Sequence, residues 1–242
     1  MNKTKIKKDD TIGIIGALEQ EIIYLYKNIQ HLKTKKLYNY ILCTGKLNKI
    51  NIVLIKSGIG KVSASIASAI LLHFYKIDLI INIGTAGSLQ TKLIPGSIIF
   101  PHSTCYYDVN LTTFGYSLGQ IPNFPKLFLA NNYMMQLAEK YTLQSRMNHK
   151  KNLIISGDLF INKKTFQNTL KKKFPTAIAV DMESTAIAQA CYQFKKPFLI
   201  IKYISDFSDE RASLNFKKFV NLASKKLLNV IQHLLDSLCK TT

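Results

Sequence analysis

Residues 177–211, AIAVDMESTAIAQACYQFKKPFLIIKYISDFSDER, read as strand, helix, strand, and they constrain the fold more than any other stretch. The short apolar run 177–180 stops at Asp181-Met182-Glu183-Ser184. From Ser184 to Phe194, Ala, Ile and Cys recur at helical spacing, so two carboxylates lie where a helix begins. Pro197 ends that helix, and residues 198–204 follow as a continuous apolar strand of the kind buried on both faces. Ser205 and Asp206 come directly after it. In open α/β sheets, ligands bind outside the carboxyl ends of the strands, which predicts that Asp181, Glu183 and Asp206 share one cleft. Capping by Asp181 or Ser184, or a turn at Ser205-Asp206, would account for any one of these residues singly. Glu183 resists that account. A carboxylate at a buried strand rim is costly unless something binds it, and a sugar diol, which donates two hydrogen bonds, suits it.

The same pattern of strands ending in glycine or acid recurs upstream. Residues 11–15 form a strand, Gly16-Ala17 a tight turn, and Leu18 to Glu21 open a helix that continues through Tyr26. Glu19 and Glu21 fall in its first turn, where the helix dipole favours negative charge, and that alone would explain them. Residues 41–42 and 51–56 are read as antiparallel strands joined through 45–48. Ser57-Gly58-Ile59-Gly60-Lys61 then leads into a helix over 62–75, with glycine N–H groups placed to meet an anion or a close ligand. The nucleotide motifs fail here: Ser63 stands where the dinucleotide fingerprint needs a third glycine or alanine, and Val62 follows Lys61 where a P-loop needs Ser or Thr. A buried strand over 78–83 ends in Gly84-Thr85-Ala86-Gly87 and is expected to face the cleft of Asp206. Residues 98–101 form a strand, and 102–125 read as a long, aromatic-rich functional loop carrying Tyr106, Tyr107, Phe114 and Tyr116. A helix over 131–144, a strand over 153–155 and a turn at 156–158 follow. Phe160 and Ile161 come next, where an aromatic could stack on a flat ligand, although phenylalanine is more commonly core. A long helix over 216–238 closes the chain, with Phe219, Leu222, Ala223, Leu227, Val230, Ile231 and Leu234 as one apolar stripe.

At 242 residues the chain fits one α/β domain over 11–242, preceded by a basic extension over 1–10. The longest nearly apolar stretch, 62–74, is too short to span a bilayer, and no apolar segment follows the basic N-terminus. Neither a membrane partner nor secretion is expected. Cys43, Cys105, Cys191 and Cys239 lack CxxC or Cys/His spacing, which predicts free thiols in a reducing cytoplasm and no metal site. The net charge of +19 invites a nucleic-acid reading. However, only Arg146 and Arg211 supply the guanidinium fork suited to phosphate and base contacts, and the lysines are scattered, so specific nucleic-acid binding is not expected.

Taken together, seven segments resemble the 5′-methylthioadenosine/S-adenosylhomocysteine nucleosidases of bacteria: IGIIGALEQE from Ile12, KSGIGKVSA from Lys56, INIGTAGSL from Ile81, FGYSLGQIP from Phe114, SGDLFI from Ser156, VDMESTAIA from Val180 and ISD from Ile204. The resemblance implies a three-layer α/β/α sandwich around a mixed central sheet, nucleoside-phosphorylase-like, and a homodimer. It implies hydrolysis of 5′-methylthioadenosine, S-adenosylhomocysteine and 5′-deoxyadenosine, in methionine salvage and methyl-cycle clearance, without a cofactor. By the same resemblance Glu21 activates water and Asp206 protonates adenine N7. Glu183 takes the ribose hydroxyls with Met182 against the sugar, and Phe160 and the Ile161 backbone take the base. Thr85, Ala86, Gly87 and Ser205 line the pocket. Phe216 encloses the 5′-alkylthio group, together with Phe114 and Pro122 of the partner subunit.

Four positions depart from the family pattern: Asp181 for glutamate, Lys202 for arginine, Thr85 for serine and Ser88 for glycine. The lysine gives up a planar fork able to hold a carboxylate or the sugar, so a difference in rate or substrate preference is expected. The alternatives are a phosphate-dependent purine or methylthioadenosine phosphorylase, and a non-catalytic nucleoside- or nucleic-acid-binding protein. Asn82 and Ile83 stand where a phosphorylase would be expected to carry a phosphate-binding arginine. A silent binder would be expected to have lost Glu21 or Asp206.

Overall fold

The structure is a computed structural model that describes residues 9–143 and 152–240. Arg146, Gln144 at the end of the expected 131–144 helix, and residues 1–8 of the basic extension lie outside the described residues. In chain order the elements are β1 (Thr11–Gly16), α1 (Glu19–Asn28), β2 (Gln30–Leu37), β3 (Tyr40–Leu47), β4 (Ile50–Lys56), α2 (Lys61–Phe74), β5 (Leu79–Ser88), β6 (Ile98–Ile99), β7 (Ser103–Tyr106), β8 (Phe128–Leu129), α3 (Asn132–Leu143), β9 (Leu153–Ser156), α4 (Lys164–Lys173), β10 (Ala177–Asp181), α5 (Ser184–Gln193), β11 (Phe198–Asp206) and α6 (Ala212–Lys240).

The strands form one mixed sheet in the order β2-β3-β4-β1-β5-β10-β9-β7-β8, with β11 joined to β5 and β6 joined to β11. Helices α1, α3 and α6 pack together on one side, and α2 packs with α5 on the other, which gives the α/β/α layering. Every residue of β11 is buried, Lys202 included, as suits a largely apolar strand covered on both faces. Strand β5 is the branch point. It runs parallel to β11 from Ile80 to Gly87, while its other edge is parallel to β1 in its first part and antiparallel to β10 at its end, with Gly87 opposite Val180 and Ser88 opposite Ala179. A bulge at Ser205 shifts the β5–β11 register, so that Ile204 faces Ala86 but Asp206 faces Gly87. Bulges of this kind re-aim a side chain, here the terminal acid.

Several boundaries differ from the sequence reading. The β3–β4 connection is only Asn48-Lys49, both at positive φ (46° and 67°), and residues 45–47 belong to the strand. Two consecutive left-handed residues make a tight hairpin turn that no glycine announces. Strand β2 escapes an apolar-pattern search because it is a lysine-rich, largely exposed edge, a usual defence of edges against aggregation. Residues 102–125 are not all loop: 103–106 form the buried strand β7, parallel to β9, and the polar atoms of Thr104 and Thr185 satisfy each other inside. Helix α6 begins at Ala212, earlier than expected, and Leu222 leaves the apolar stripe, being 54% exposed while Ala223, Leu227, Val230, Ile231 and Leu234 are buried.

Candidate active site

A cleft of about 590 Å³ opens at the carboxyl ends of β5, β10 and β11. Glu21, Thr85, Ala86, Gly87, Phe160, Ile161, Met182, Glu183, Ser205, Asp206 and Phe216 all line it, as does Asp181. Phe114 and Pro122 do not line the cleft of their own chain, and Phe114 stands 74% exposed.

Glu21 lies in the first turn of α1, where the dipole alone might have placed it, yet it is buried and fully engaged. Oε2 accepts from the N–H groups of Ala17 (3.1 Å) and Leu18 (3.0 Å), and Oε1 accepts from the Thr85 N–H (2.7 Å) and Oγ1 (2.8 Å). Four donors from two elements fix one carboxylate. Gly84 is indispensable to that approach: its φ is +152°, and a Cβ there would sit 2.9 Å from Glu21 Oε1.

Asp206 ends β11 at the other side of the cleft. Oδ2 accepts from Ser205 Oγ (2.6 Å) and Oδ1 from the Ser208 N–H (2.8 Å). Burial pushes its carboxyl above the ordinary carboxylate range, and these two hydrogen bonds oppose the shift only in part. Gly87 lies against it, for a Cβ on Gly87 would be 2.9 Å from Asp206 Oδ1 and would overlap Ser208 Oγ.

Glu183 is the N-cap residue of α5, but its side chain does not cap that helix. Its Oε1 accepts from the N–H of Gly60 (3.0 Å), so the anion awaited by the glycine-rich turn is an internal carboxylate. Burial and the neighbouring Asp181 push Glu183 up, while Lys202 and the Gly60 N–H pull it down. Asp158 and Lys61 fasten this arrangement from outside: Asp158 Oδ1 accepts from the Lys61 N–H (2.8 Å), and Lys61 Nζ reaches Asp108 (2.6 Å).

Beneath the cleft lies a polar cluster that no motif announces. Lys202 Nζ pairs with Asp181 Oδ2 at 2.9 Å, with both side chains only 2% exposed. Asp181 Oδ1 accepts from Ser156 Oγ (2.6 Å), its carboxylate also accepts from the Ser184 N–H, and Ser184 Oγ lies 2.8 Å from Asn82 Oδ1. Asp181 therefore does bond the first N–H of α5, as a capping residue would, and it also ties β9, β10 and β11 together. Burial alone would lower the Lys202 pKa, but Asp181, Glu183 and Glu21 outweigh it and hold the ammonium above its usual value. The two departures thus meet: the shorter cation finds the shorter acid, and the lysine holds a carboxylate without the arginine's fork.

Phe160, 44% exposed, is no core residue; it meets Phe216 edge to face at 5.9 Å and forms one wall of the cleft. Sequence reading passed over Ser208, which lines the cleft two residues beyond Asp206 and looks like one more turn serine in SDFSD. Among the described residues no group of three or more His, Cys, Asp or Glu side chains could hold a metal ion, and no helix is long and apolar enough to cross a membrane.

A cleft of this size with acids on two sides agrees with what comparison with known proteins finds. The sequence profile of the phosphorylase superfamily matches residues 11–236. A 5′-methylthioadenosine/S-adenosylhomocysteine nucleosidase of Buchnera aphidicola subsp. Baizongia pistaciae is 52% identical over 240 residues, 99% of this chain and 95% of its own length. The crystal structure of the Neisseria meningitidis enzyme of that name, in complex with methylthio-immucillin-A, superposes with a TM-score of 0.90 at 34% identity, covering 94% of this chain and 99% of the other. The Streptococcus pyogenes S-adenosylhomocysteine nucleosidase bound to 5-methylthiotubericidin gives 0.91 at 30% identity, covering 95% and 98%. The chain belongs to the phosphorylase superfamily and, within it, to the 5′-methylthioadenosine/S-adenosylhomocysteine nucleosidases.

Proposed function

We propose that this chain hydrolyses the N-glycosidic bond of 5′-methylthioadenosine and S-adenosylhomocysteine, and of 5′-deoxyadenosine, to adenine and the corresponding ribose. The observation that carries the mechanism is the end of β5, where Thr85 holds Glu21 and Gly87 abuts Asp206. Two residues of extended strand, about 7 Å, separate these contacts. The two acids therefore meet the cleft at different points along one strand, which suits an acid on the side of the base and a base for water on the opposite face of the sugar.

In the reaction the C1′–N9 bond breaks with its electron pair going to the base. Asp206, whose carboxyl burial holds above the ordinary carboxylate range, gives its proton to N7, so that adenine leaves neutral. Water attacks C1′ from the opposite face and loses a proton to Glu21, whose four donors leave little freedom to swing away. Glu183, anchored by Gly60, accepts from the ribose hydroxyls, and Met182 packs beside the sugar. Phe160 provides a face for the base, and the backbone of Ile161 reads its edge. Such acid–base contributions are each about 100- to 10,000-fold.

Water is favoured over phosphate because the cleft offers no free arginine fork among the described residues. Asn82 is buried and bonded to the Ile15 carbonyl, Arg211 is exposed outside the cleft lining, and Lys202 is committed to Asp181. Purified protein is expected to release adenine and free methylthioribose from methylthioadenosine at the same rate with or without phosphate. A phosphate requirement with sugar 1-phosphate as product would show a phosphorylase, and no cleavage under either condition would favour the binding-protein reading.

The site is completed in a homodimer by Phe114 and Pro122 of the second subunit. The exposed apolar side chains of Ile59, Val62 and Ile66, the last two four residues apart on α2, support a covered face beside the cleft. Phe114→Ala is expected to raise KM for methylthioadenosine about tenfold, in line with loss of a buried aromatic contact, with a smaller effect on 5′-deoxyadenosine. Equal KM values in variant and wild type would remove Phe114 from the site.

A further inference from the structure

Ser208 presents a feature that the mechanism does not use. Its side-chain oxygen is one of three buried side-chain polar atoms without a hydrogen-bond partner among the described residues, with Tyr133 Oη and Gln167 Oε1. Of the three residues, Ser208 alone lines the cleft. A buried hydroxyl left without a partner is unfavourable, and natural proteins seldom keep one without a reason.

The local backbone sharpens the point. Ser208 has φ of +54°, a left-handed conformation uncommon for residues other than glycine, and such strain concentrates at ligand sites. The strained turn is held from behind: Gln167 Nε2 donates to the carbonyls of Phe207 (2.6 Å) and Ser88 (3.1 Å). From within, the Ser208 N–H is committed to Asp206 Oδ1. The hydroxyl therefore rides on a clamped loop, packed over Gly87 beside the acid, and Asp206 already accepts from Ser205 and from the Ser208 backbone. Its natural partner is what enters the cleft.

Resting on the nucleosidase reading, we propose that Ser208 is a base-contacting residue whose hydroxyl hydrogen-bonds the purine on the edge carrying N7, next to Asp206. A hydroxyl can donate to a ring nitrogen or accept from an exocyclic amine, so either arrangement on that edge satisfies it. The free protein carries an unpaired polar group that the base satisfies. Affinity is gained at the expense of the stability of the empty cleft.

That trade gives the test a signature that a merely structural serine would not show. Adenine affinity is measured by calorimetry, and thermal stability by unfolding, on the wild type, Ser208→Ala and Ser208→Gly. Both variants keep the backbone N–H and lose the hydroxyl; alanine keeps the β-carbon, whereas glycine loses it too and relieves the positive φ. Adenine binding is expected to weaken roughly 3- to 10-fold in both, the worth of one neutral hydrogen bond, with the ligand-free Tm of Ser208→Ala unchanged or raised. Unaltered adenine affinity in the two variants would overturn the proposal, as would a lowered ligand-free Tm in both, which would mark a structural serine. If the wild type neither binds adenine nor cleaves methylthioadenosine, the nucleosidase reading itself fails and takes this proposal with it. Wild-type binding that the variants match condemns the Ser208 contact alone.

Discussion

Asp206→Asn is expected to lower kcat for methylthioadenosine by about 100- to 10,000-fold while leaving the fold intact. The asparagine keeps an acceptor for the Ser208 N–H and fills the same space, but it has no proton to give to N7. Adenine affinity should change far less than kcat, because the lost interaction belongs to the transition state. Stability supplies a second readout. Asp206 has a folded pKa raised by burial, so between its unfolded value and its folded value the native state binds more protons than the unfolded chain. Its contribution to stability is therefore present at low pH and lost as pH rises through the folded pKa. An amide cannot ionise, so Asp206→Asn should unfold at a higher temperature than wild type on the alkaline side, and the advantage should vanish in acid. A folded variant with near-wild-type kcat would remove Asp206 as the acid.

The second large effect is expected beneath the cleft. Lys202→Met leaves Asp181 as a buried charge without its cation, and removal of one partner from such a pair costs about 3–5 kcal/mol. For a chain of this size each kcal/mol corresponds to a Tm change of about 2–4 °C, so scanning calorimetry reads the loss directly. The double variant Lys202→Met with Asp181→Asn should recover much of it, because the unpaired charge is gone. The pH dependence of KM supplies a separate readout. Lys202 is one of the groups that lower the Glu183 pKa, so its removal moves that carboxylate further up, and ribose binding should then require a higher pH. A KM that rises toward acid pH in Lys202→Met and returns toward the wild-type profile in the double variant, where the Asp181 charge that pushes Glu183 up is gone as well, would show that the pair tunes Glu183 as well as the fold. If Lys202→Met has the wild-type Tm, the ion pair is not a stabilising element.

What the sequence conveyed well were the strand ends. The burial of β11 follows from its largely apolar run, and Asp181, Glu183 and Asp206 do share one cleft at strand ends, although β10 meets the end of β5 antiparallel and is not one more parallel strand of a common rim. Roles within the cleft came from the family resemblance, since spacing alone left Glu21 as a residue in the first turn of a helix. Its true environment depends on Thr85, 64 positions away, which no local pattern reveals. Strand β7 was hidden because its buried Ser103 and Thr104 read as loop residues, and their polarity is answered only across the fold. Lys202 was legible as a departure but not as half of a pair, since its compensating change lies on another strand. Ser208 was illegible for the opposite reason: its distinguishing property is a missing partner.

The end of β5 bears on how such a cleft can evolve. Gly84 and Gly87 contribute no side chain, yet each backbone lies against a different cleft carboxylate, Glu21 or Asp206, and has no room for a Cβ. A substitution at either would displace one acid relative to the other, and no compensating change of side chain elsewhere restores a backbone position. At the walls, by contrast, Phe160, Phe216 and Ser208 line the cleft with side chains, where a substitution changes its shape without touching the backbone that lies against the two carboxylates. The strand acts as a fixed ruler, and variation in substrate is left to whatever surrounds it.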